Sequence, residues 1–89
     1  YMLNEIKLMQ GINHNDFDNL ISNFIKSGKE DLKALGLKEE IVDNNEEYPL
    51  IRTAIITYVL SNLDVNNSEM YSNSYTMQKD FLRHHKEYI

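Results

Sequence analysis

The side chains best suited to chemistry in this sequence are three histidines, His14, His84 and His85, and fourteen acidic residues. His84 and His85 are adjacent, and a helix points neighbouring residues about 100° apart, so the two imidazoles cannot comfortably share a metal ion. Asp80 lies one turn before His84 and completes half of a metal site, but no third ligand is nearby in the sequence. We therefore predict an exposed His84, a His85 packed at the edge of the fold, a His14 near a helix start, and no bound metal.

Other signatures of catalysis are also incomplete. The sequence has no phosphate-binding glycine loop, no HExxH or CxxC motif and no cysteine, which excludes disulfides and thiolate metal sites. The stretch DVNNSEMYSNSY, from Asp64, superficially resembles a calcium-binding loop, but Glu69 stands where that loop needs glycine and Tyr75 where it needs glutamate. The serines lack a spaced base and acid for a nucleophilic triad. The sequence predicts no catalytic residue, no cofactor and no enzyme. We consider three interpretations of the function, and a metal-dependent enzyme is the weakest of them.

Basic residues are concentrated near the end of the chain, at Lys79, Arg83 and Lys86. Beside two histidines they favour a second interpretation, a small helical regulatory protein that binds DNA with its last helix in a helix-turn-helix. The charge balance opposes it, because 14 acidic against 9 basic residues give a formal net charge of -5. Affinity for DNA depends on neutralising phosphates, and the same balance disfavours binding to an anionic membrane.

A second charged stretch, LKEEIVDNNEEY, contains only acidic charges after its first lysine. Like charges repel one another, and the stretch has little apolar content to bury. We predict a solvated acidic loop or a partner surface, mobile in the isolated subunit, formed by Glu39, Glu40, Asp43, Glu46 and Glu47.

Four segments with helical periodicity must position these groups. The second is the clearest, since NHNDFDNLISNFIKSGKEDLKALG places an apolar stripe on one face, with Asn13 or Asn15 available to cap its start. Gly28 falls on that face, where a missing side chain more often permits close helix approach than a break. Gly11 and Gly36 are predicted to end the first two helices. No pattern indicates a strand, so we predict an all-α, four-helix bundle-like domain with helices near residues 2–10, 15–35, 48–63 and 67–87.

The third of these helices is unusually apolar. In EEYPLIRTAIITYVLSNL, Arg52 is the only charged residue after Pro49, and apolar positions cover roughly three-quarters of the helix circumference. The run is too short to cross a bilayer, which needs about 20 apolar residues, so we expect the other three helices, and in part a neighbouring subunit, to cover it. We predict one domain over residues 1–89, with Ile55 and Phe24 in its core and Met2 as the natural start after an extraneous Tyr1.

The fourth helix is predicted to be long and partly exposed. Asn66 followed by Glu69 has the form of a capping box at its start. In NNSEMYSNSYTMQKDFLRHHKEYI, apolar and aromatic side chains then recur at alternating steps of four and three residues, which is typical of an amphipathic helix. This stripe consists of Tyr71, Tyr75, Gln78, Leu82, His85 and Ile89.

The order of these features resembles the phage head–tail connector family. LMQGINHNDFDNLISNFIKSGKEDL is similar to the family's opening pattern, L-R-I-D-x-D-x-x-D-x-L-I followed by A-x-x-Y-I. YPLIRTAIITYVLSNL is similar to its central apolar helix, and LDVNNSEMYSNSYTMQKDFLRHH resembles the closing segment F-G-x-D-N-P-D-S-E-K-Y-x-x-S-Y of one branch. The resemblance extends from Leu3 to about Tyr88. Departures occur at Gln10 and Gly11, in place of leucine and arginine, and at Leu63-Asp64, in place of Phe-Gly.

The resemblance implies a structural adaptor of a tailed phage or prophage, with no catalysis and no cofactor. Subunits would form a homo-oligomeric ring beneath the portal protein, extend the DNA channel without sequence-specific binding, and receive the next head-completion or tail-joining protein. The expected location is the virion head–tail junction, after assembly in the host cytoplasm and without a membrane. The resemblance places the C-terminal region against the portal, so the expected contacts are Lys79, Arg83, Lys86 and Tyr88.

Overall fold

The computed structural model describes all residues, 1–89, and consists of helices joined by turns. Two single turns of 3-10 helix, Asn45–Glu47 and Val65–Asn67, precede the last two helices. No strand is present, and the prediction of an all-α fold is confirmed. None of the helices combines the length and apolar composition that crossing a bilayer requires. The five α-helices are α1 (Met2–Met9), α2 (Asp18–Ala34), α3 (Glu39–Asp43), α4 (Pro49–Leu63) and α5 (Ser68–Arg83).

Glycines end α1 and α2, as the sequence predicts. Gly11 and Gly36 have φ angles of +67° and +112°, a region that side-chain-bearing residues rarely adopt. The N–H groups of Gly11 and Ile12 donate to carbonyls in the last turn of α1 over 3.2 and 2.8 Å, and Gly36 and Leu37 repeat the pattern on α2 over 3.0 and 3.3 Å. In this Schellman arrangement the chain reverses, and Ile12 and Leu37 pack back on the core.

The predicted side-chain caps at the helix starts are wrong. The residue before α2 is Phe17, without a side-chain cap, and the Asn15 side chain accepts a hydrogen bond from Lys7 instead. A 3-10 turn precedes α5, so the cap moves back to Asp64, whose carboxylate accepts the backbone N–H of Asn67 at 3.3 Å. Hydrogen bonds from the side chains of Asn67 and Gln10 help to lower the pKa of Asp64.

α4 is the centre of the fold and is covered on nearly every side. α5 makes the most extensive contact with it and α2 the next, while α1, α3 and the first 3-10 turn cover the rest. Arg52, its one charged residue, pairs with Glu5 of α1. Ile55 is fully buried, as predicted, whereas Phe24 is only half-buried. The buried side of α4 comprises Ile51, Ala54, Ile55, Ile56, Thr57, Val59 and Leu60.

Gly28 brings α2 close to α4, as its place on the apolar face predicts. A Cβ atom added there would lie 3.0 Å from Cδ1 of Tyr58 and 3.3 Å from its Cγ. Tyr58 in turn meets the ring of Tyr75 edge-on, with 5.3 Å between centroids. The missing side chain therefore makes room for an aromatic contact that joins α2, α4 and α5.

The prediction of a solvated loop at the acidic stretch is wrong. Residues 39–47, called the acidic segment below, form α3 and a 3-10 turn. Ile41 and Val42 are buried in the core, and the buried Asn45 side chain donates to the Val42 carbonyl at 2.9 Å. Two adjacent apolar residues are enough to anchor a single helical turn whose acidic side chains point outward, which a count of charges does not reveal.

Candidate partner-binding surfaces

The histidines do not assemble a metal site. Nowhere do three or more histidine, cysteine or acidic side chains converge in a way that could hold a metal ion. His84 is exposed, and its Nδ1 lies 2.7 Å from the backbone carbonyl of Asp80, so the carboxylate is not its partner. His85 is half-buried between the rings of Phe81 and Tyr88. Both histidines therefore occupy the environments that the sequence predicts.

The predicted basic contacts lie at the C-terminal end of α5 and just after it. Lys79, Arg83 and Lys86 form what we call the basic group. The Lys79 amine lies 3.3 Å from Oδ2 of Asp31 and 4.9 Å from the centroid of the Tyr75 ring. The Arg83 guanidinium pairs with Asp80 at 2.7 Å but keeps 55% of its side chain exposed. Lys86 is exposed. Two of the three cations thus already have an acidic partner within the chain.

Asp31 is a residue that the sequence interpretation missed. The Tyr75 hydroxyl donates to its Oδ2 over 2.6 Å, which links α5 to α2 across 44 positions of sequence. Burial, together with this negatively charged acceptor, raises the pKa of Tyr75 far above its ordinary value. Helical periodicity assigns Tyr75 to the inner face but gives no sign of which acidic residue it meets. The pair links α5 to α2, and the same carboxylate also holds Lys79 of the basic group.

Tyr88 does not lie where its expected role requires. α5 ends at Arg83, not near residue 87. Beyond Arg83 the N–H groups of His84, His85 and Tyr88 donate to the carbonyl three residues earlier, a pattern of turns and not of an α-helix. Residues 84–89 form what we call the C-terminal hook. Tyr88 is only 8% exposed, stacks on His85 with 4.3 Å between centroids, and accepts the Lys38 N–H at its carbonyl over 2.6 Å. The choice of Tyr88 as a partner contact is therefore wrong, since its side chain belongs to the core.

The acidic segment is held against α2 by Lys33, a second residue that the sequence interpretation missed. The Lys33 amine lies 2.9 Å from a carboxylate oxygen of Asp43 and 3.9 Å from one of Glu39. The hydrogen bond to Asp43 is the main cause that raises the pKa of Lys33. All five acids of the segment are exposed, but the ion pairs found in the structure do not include Glu40, Glu46 and Glu47. These three form the outward charge of the segment.

An apolar groove runs between the start of α4 and the outer side of α5, and the sequence did not predict it. Its volume is about 260 Å³. Leu50, Met77 and Phe81 line it and remain 47%, 74% and 58% exposed. At 100° per residue, Met77 and Phe81 lie on the opposite side of α5 from Lys79 and Arg83. The Oε1 atom of Gln78, which also lines the groove, is buried without a hydrogen-bond partner.

A comparison with protein families gives one match, over almost the entire chain. The sequence profile of the family described as "Phage connector protein" matches residues 2–88. No curated protein and no solved structure gives a significant match. The matched range includes every helix, the basic group and the acidic segment. The chain therefore belongs to the phage connector protein family.

Proposed function

We propose that this chain is a structural adaptor of a tailed phage or prophage, which forms a ring beneath the portal protein after DNA packaging. The ring extends the DNA channel and receives the next head-completion or tail-joining protein at the virion head–tail junction. The observation that carries this proposal is the match of the connector family to residues 2–88. The function is mechanical and adhesive, and it requires neither a catalytic group nor a cofactor.

The basic group is the proposed portal contact. Arg83 is exposed at the end of α5 and Lys86 just after it, and arginine is enriched at the centres of protein interfaces. Lys79 also belongs to the proposed contact, and its ion pair with Asp31 holds the Lys79 amine in position. Tyr88 stabilises this surface indirectly, because its side chain packs in the core.

The acidic segment is the proposed channel or partner surface. Glu40, Glu46 and Glu47 are exposed, and negative charge on a channel wall repels the phosphates of passing DNA. Glu39 and Asp43 serve a different purpose as well, because their ion pairs with Lys33 attach the segment to α2.

A DNA-binding regulatory protein remains the alternative from another class. It would have to use α5, yet carboxylates of the same chain already pair with Lys79 and Arg83. Phosphates would have to displace these partners, which lowers the gain from each contact. An electrophoretic mobility shift assay at physiological salt distinguishes the two functions. We expect no retained DNA, and sequence-specific retention at that salt concentration would favour the regulator.

Loading onto portal-bearing heads that lack their connector tests the proposed docking surface. The Arg83→Glu and Lys86→Glu variants should load poorly, because each reverses a charge at the proposed contact. Both changes should alter the melting temperature little, as exposed substitutions generally do. Lys26→Glu is the matched control, since Lys26 is exposed on α2, away from the basic group.

The pair of Arg83 with Asp80 needs its own control. Arg83→Glu alone puts two acidic residues one turn apart, whereas Asp80→Lys combined with Arg83→Glu restores an ion pair with the charges exchanged. If the double variant loads as poorly as Arg83→Glu, the outward charge matters, and not the local pair. Wild-type loading by both Arg83→Glu and Lys86→Glu would place the portal contact elsewhere on the chain.

A further inference from the structure

One residue near the end of the chain contacts the residues that flank the acidic segment on both sides. Lys38, immediately before the segment, donates its N–H to the Tyr88 carbonyl over 2.6 Å. Tyr48, immediately after the segment, meets the Tyr88 ring edge-on with 5.9 Å between centroids. Tyr88 therefore bridges the two points where the acidic segment joins the rest of the chain.

The hook holds Tyr88 in this place through its own contacts. The Tyr88 N–H donates to the His85 carbonyl over 2.9 Å, and the two rings stack at an angle of 15°. His85 in turn meets the ring of Phe81, in the last turn of α5, at 5.8 Å. The position of Tyr88 thus depends on the turn that follows Arg83 and contains Lys86, two residues of the basic group.

The acidic segment has few other attachments. Within it, only Ile41, Val42 and Asn45 are buried, where α3 and the 3-10 turn meet α2 and α4, and Lys33 holds it from the side of α2. A segment with few buried contacts opens at a lower free energy than the core of the same protein. Loss of either support, Lys33 or Tyr88, should therefore release the acidic segment without unfolding α4.

We propose that the C-terminal hook and the acidic segment form one coupled unit, in which release of either loosens the other. Such coupling is reciprocal, because both segments depend on the same contacts at Tyr88. A portal protein bound to the basic group, of which Lys86 lies within the hook, would then control how the acidic side chains are presented. This regulatory meaning rests on the proposed function, whereas the coupling is a property of the isolated chain.

Amide hydrogen exchange of the isolated chain, followed by mass spectrometry of peptides, measures the coupling. In Tyr88→Ala we expect exchange in residues 39–47 to be faster by about tenfold or more, since a buried ring that holds a locally stabilised segment is removed. Exchange in α4 should be unchanged. Tyr88→Phe retains the ring and should match the wild type, as should Ile89→Ala, which alters an exposed neighbour.

The reverse direction uses a variant that leaves the hook intact. Lys33→Met removes the support on α2, and we expect faster exchange both in residues 39–47 and in residues 84–89. Faster exchange confined to the acidic segment would overturn the coupling. So would unchanged exchange of that segment in Tyr88→Ala, or an equal acceleration in α4, which would make Tyr88 a support of the whole core. None of these results depends on head loading, so a failed adaptor function remains distinguishable from failed coupling.

Discussion

The acidic segment directly precedes α4 in the sequence, but the two are held in the fold by different kinds of contact. Seven residues of α4 are buried, and four other helices and a 3-10 turn cover it. The acidic segment has three buried residues and depends on Lys33 from one side and Tyr88 from the other. The difference indicates that stability is concentrated around α4, whereas the surfaces that meet partners are attached to it by a few separable contacts.

The largest effect expected is that of Ile55→Ala in α4. Ile55 is fully buried, so the lost burial and the cavity left behind should lower the free energy of unfolding by about 2–5 kcal/mol. Urea unfolding followed by circular dichroism measures it, with Thr53→Ala on the exposed side of α4 as the control. Ile41→Ala in the acidic segment should cost clearly less, because that segment can open alone. Equal losses from Ile55→Ala and Ile41→Ala would contradict the comparison.

The next effect concerns the polar link between α5 and α2. Tyr75→Phe removes the hydrogen bond to Asp31, and because that carboxylate stays partly exposed we expect a loss of about 1.5 kcal/mol at neutral pH. The variant should also respond differently to alkali. The pKa of Tyr75 is raised in the fold, so its contribution is complete below the ordinary tyrosine value of 10.0 and is lost as the pH rises above it. Melting temperatures from about pH 8 to about pH 11 should therefore fall less steeply in Tyr75→Phe, and parallel curves would refute this.

Gly28→Ala tests the packing of α2 on α4. Its new Cβ would meet Tyr58 at 3.0 Å, and overpacking costs about 1–3 kcal/mol, partly offset by about 1 kcal/mol of better helix propensity. We expect a net loss of up to about 2 kcal/mol in urea unfolding. Ser27→Ala, at the exposed preceding position, is the matched control. A more stable Gly28→Ala variant would show that Tyr58 can move aside.

The smallest effect is expected from neutralising the outward charge of the acidic segment. Glu40, Glu46 and Glu47 are exposed and outside the ion pairs with Lys33, so changing all three to glutamine should alter stability by less than about 0.5 kcal/mol. If these charges line the channel or meet a partner, infectious yield should nevertheless fall. Asp43→Asn is the contrasting variant, because it removes the closest partner of Lys33 and should loosen the segment. Unchanged yield in the triple variant would exclude the proposed role of the charges.

Patterns within single helices predicted most of the fold. The period of the apolar residues placed α1, α2, α4 and α5, and Gly11 and Gly36 marked two ends because few other residues adopt a positive φ. α3 was missed because five acidic charges obscured the adjacent Ile41 and Val42. The apolar residues nearly all round α4 also predicted that this helix is buried, but they did not indicate which helices cover it.

The candidate surfaces were less predictable, because they depend on contacts between residues far apart in the sequence. The sequence showed that basic residues are concentrated near the end of the chain, but it gave no sign that Asp31 pairs with Lys79. Lys33 was missed for the same reason, since its main partner, Asp43, belongs to a different helix. The burial of Tyr88 follows from a turn after Arg83, where helical periodicity no longer applies.

The cap at Asp64 has a consequence for the order in which the chain folds. It joins α4 and α5, which are adjacent in the sequence and make the most extensive helix–helix contact in the molecule. Closing so short a connection costs little chain entropy, so this hairpin can form before the more distant α1 and α2 arrive. During synthesis, however, α1 and α2 leave the ribosome first. The apolar face of α2 therefore stays uncovered at least until α4, the helix it packs against most extensively, has been made.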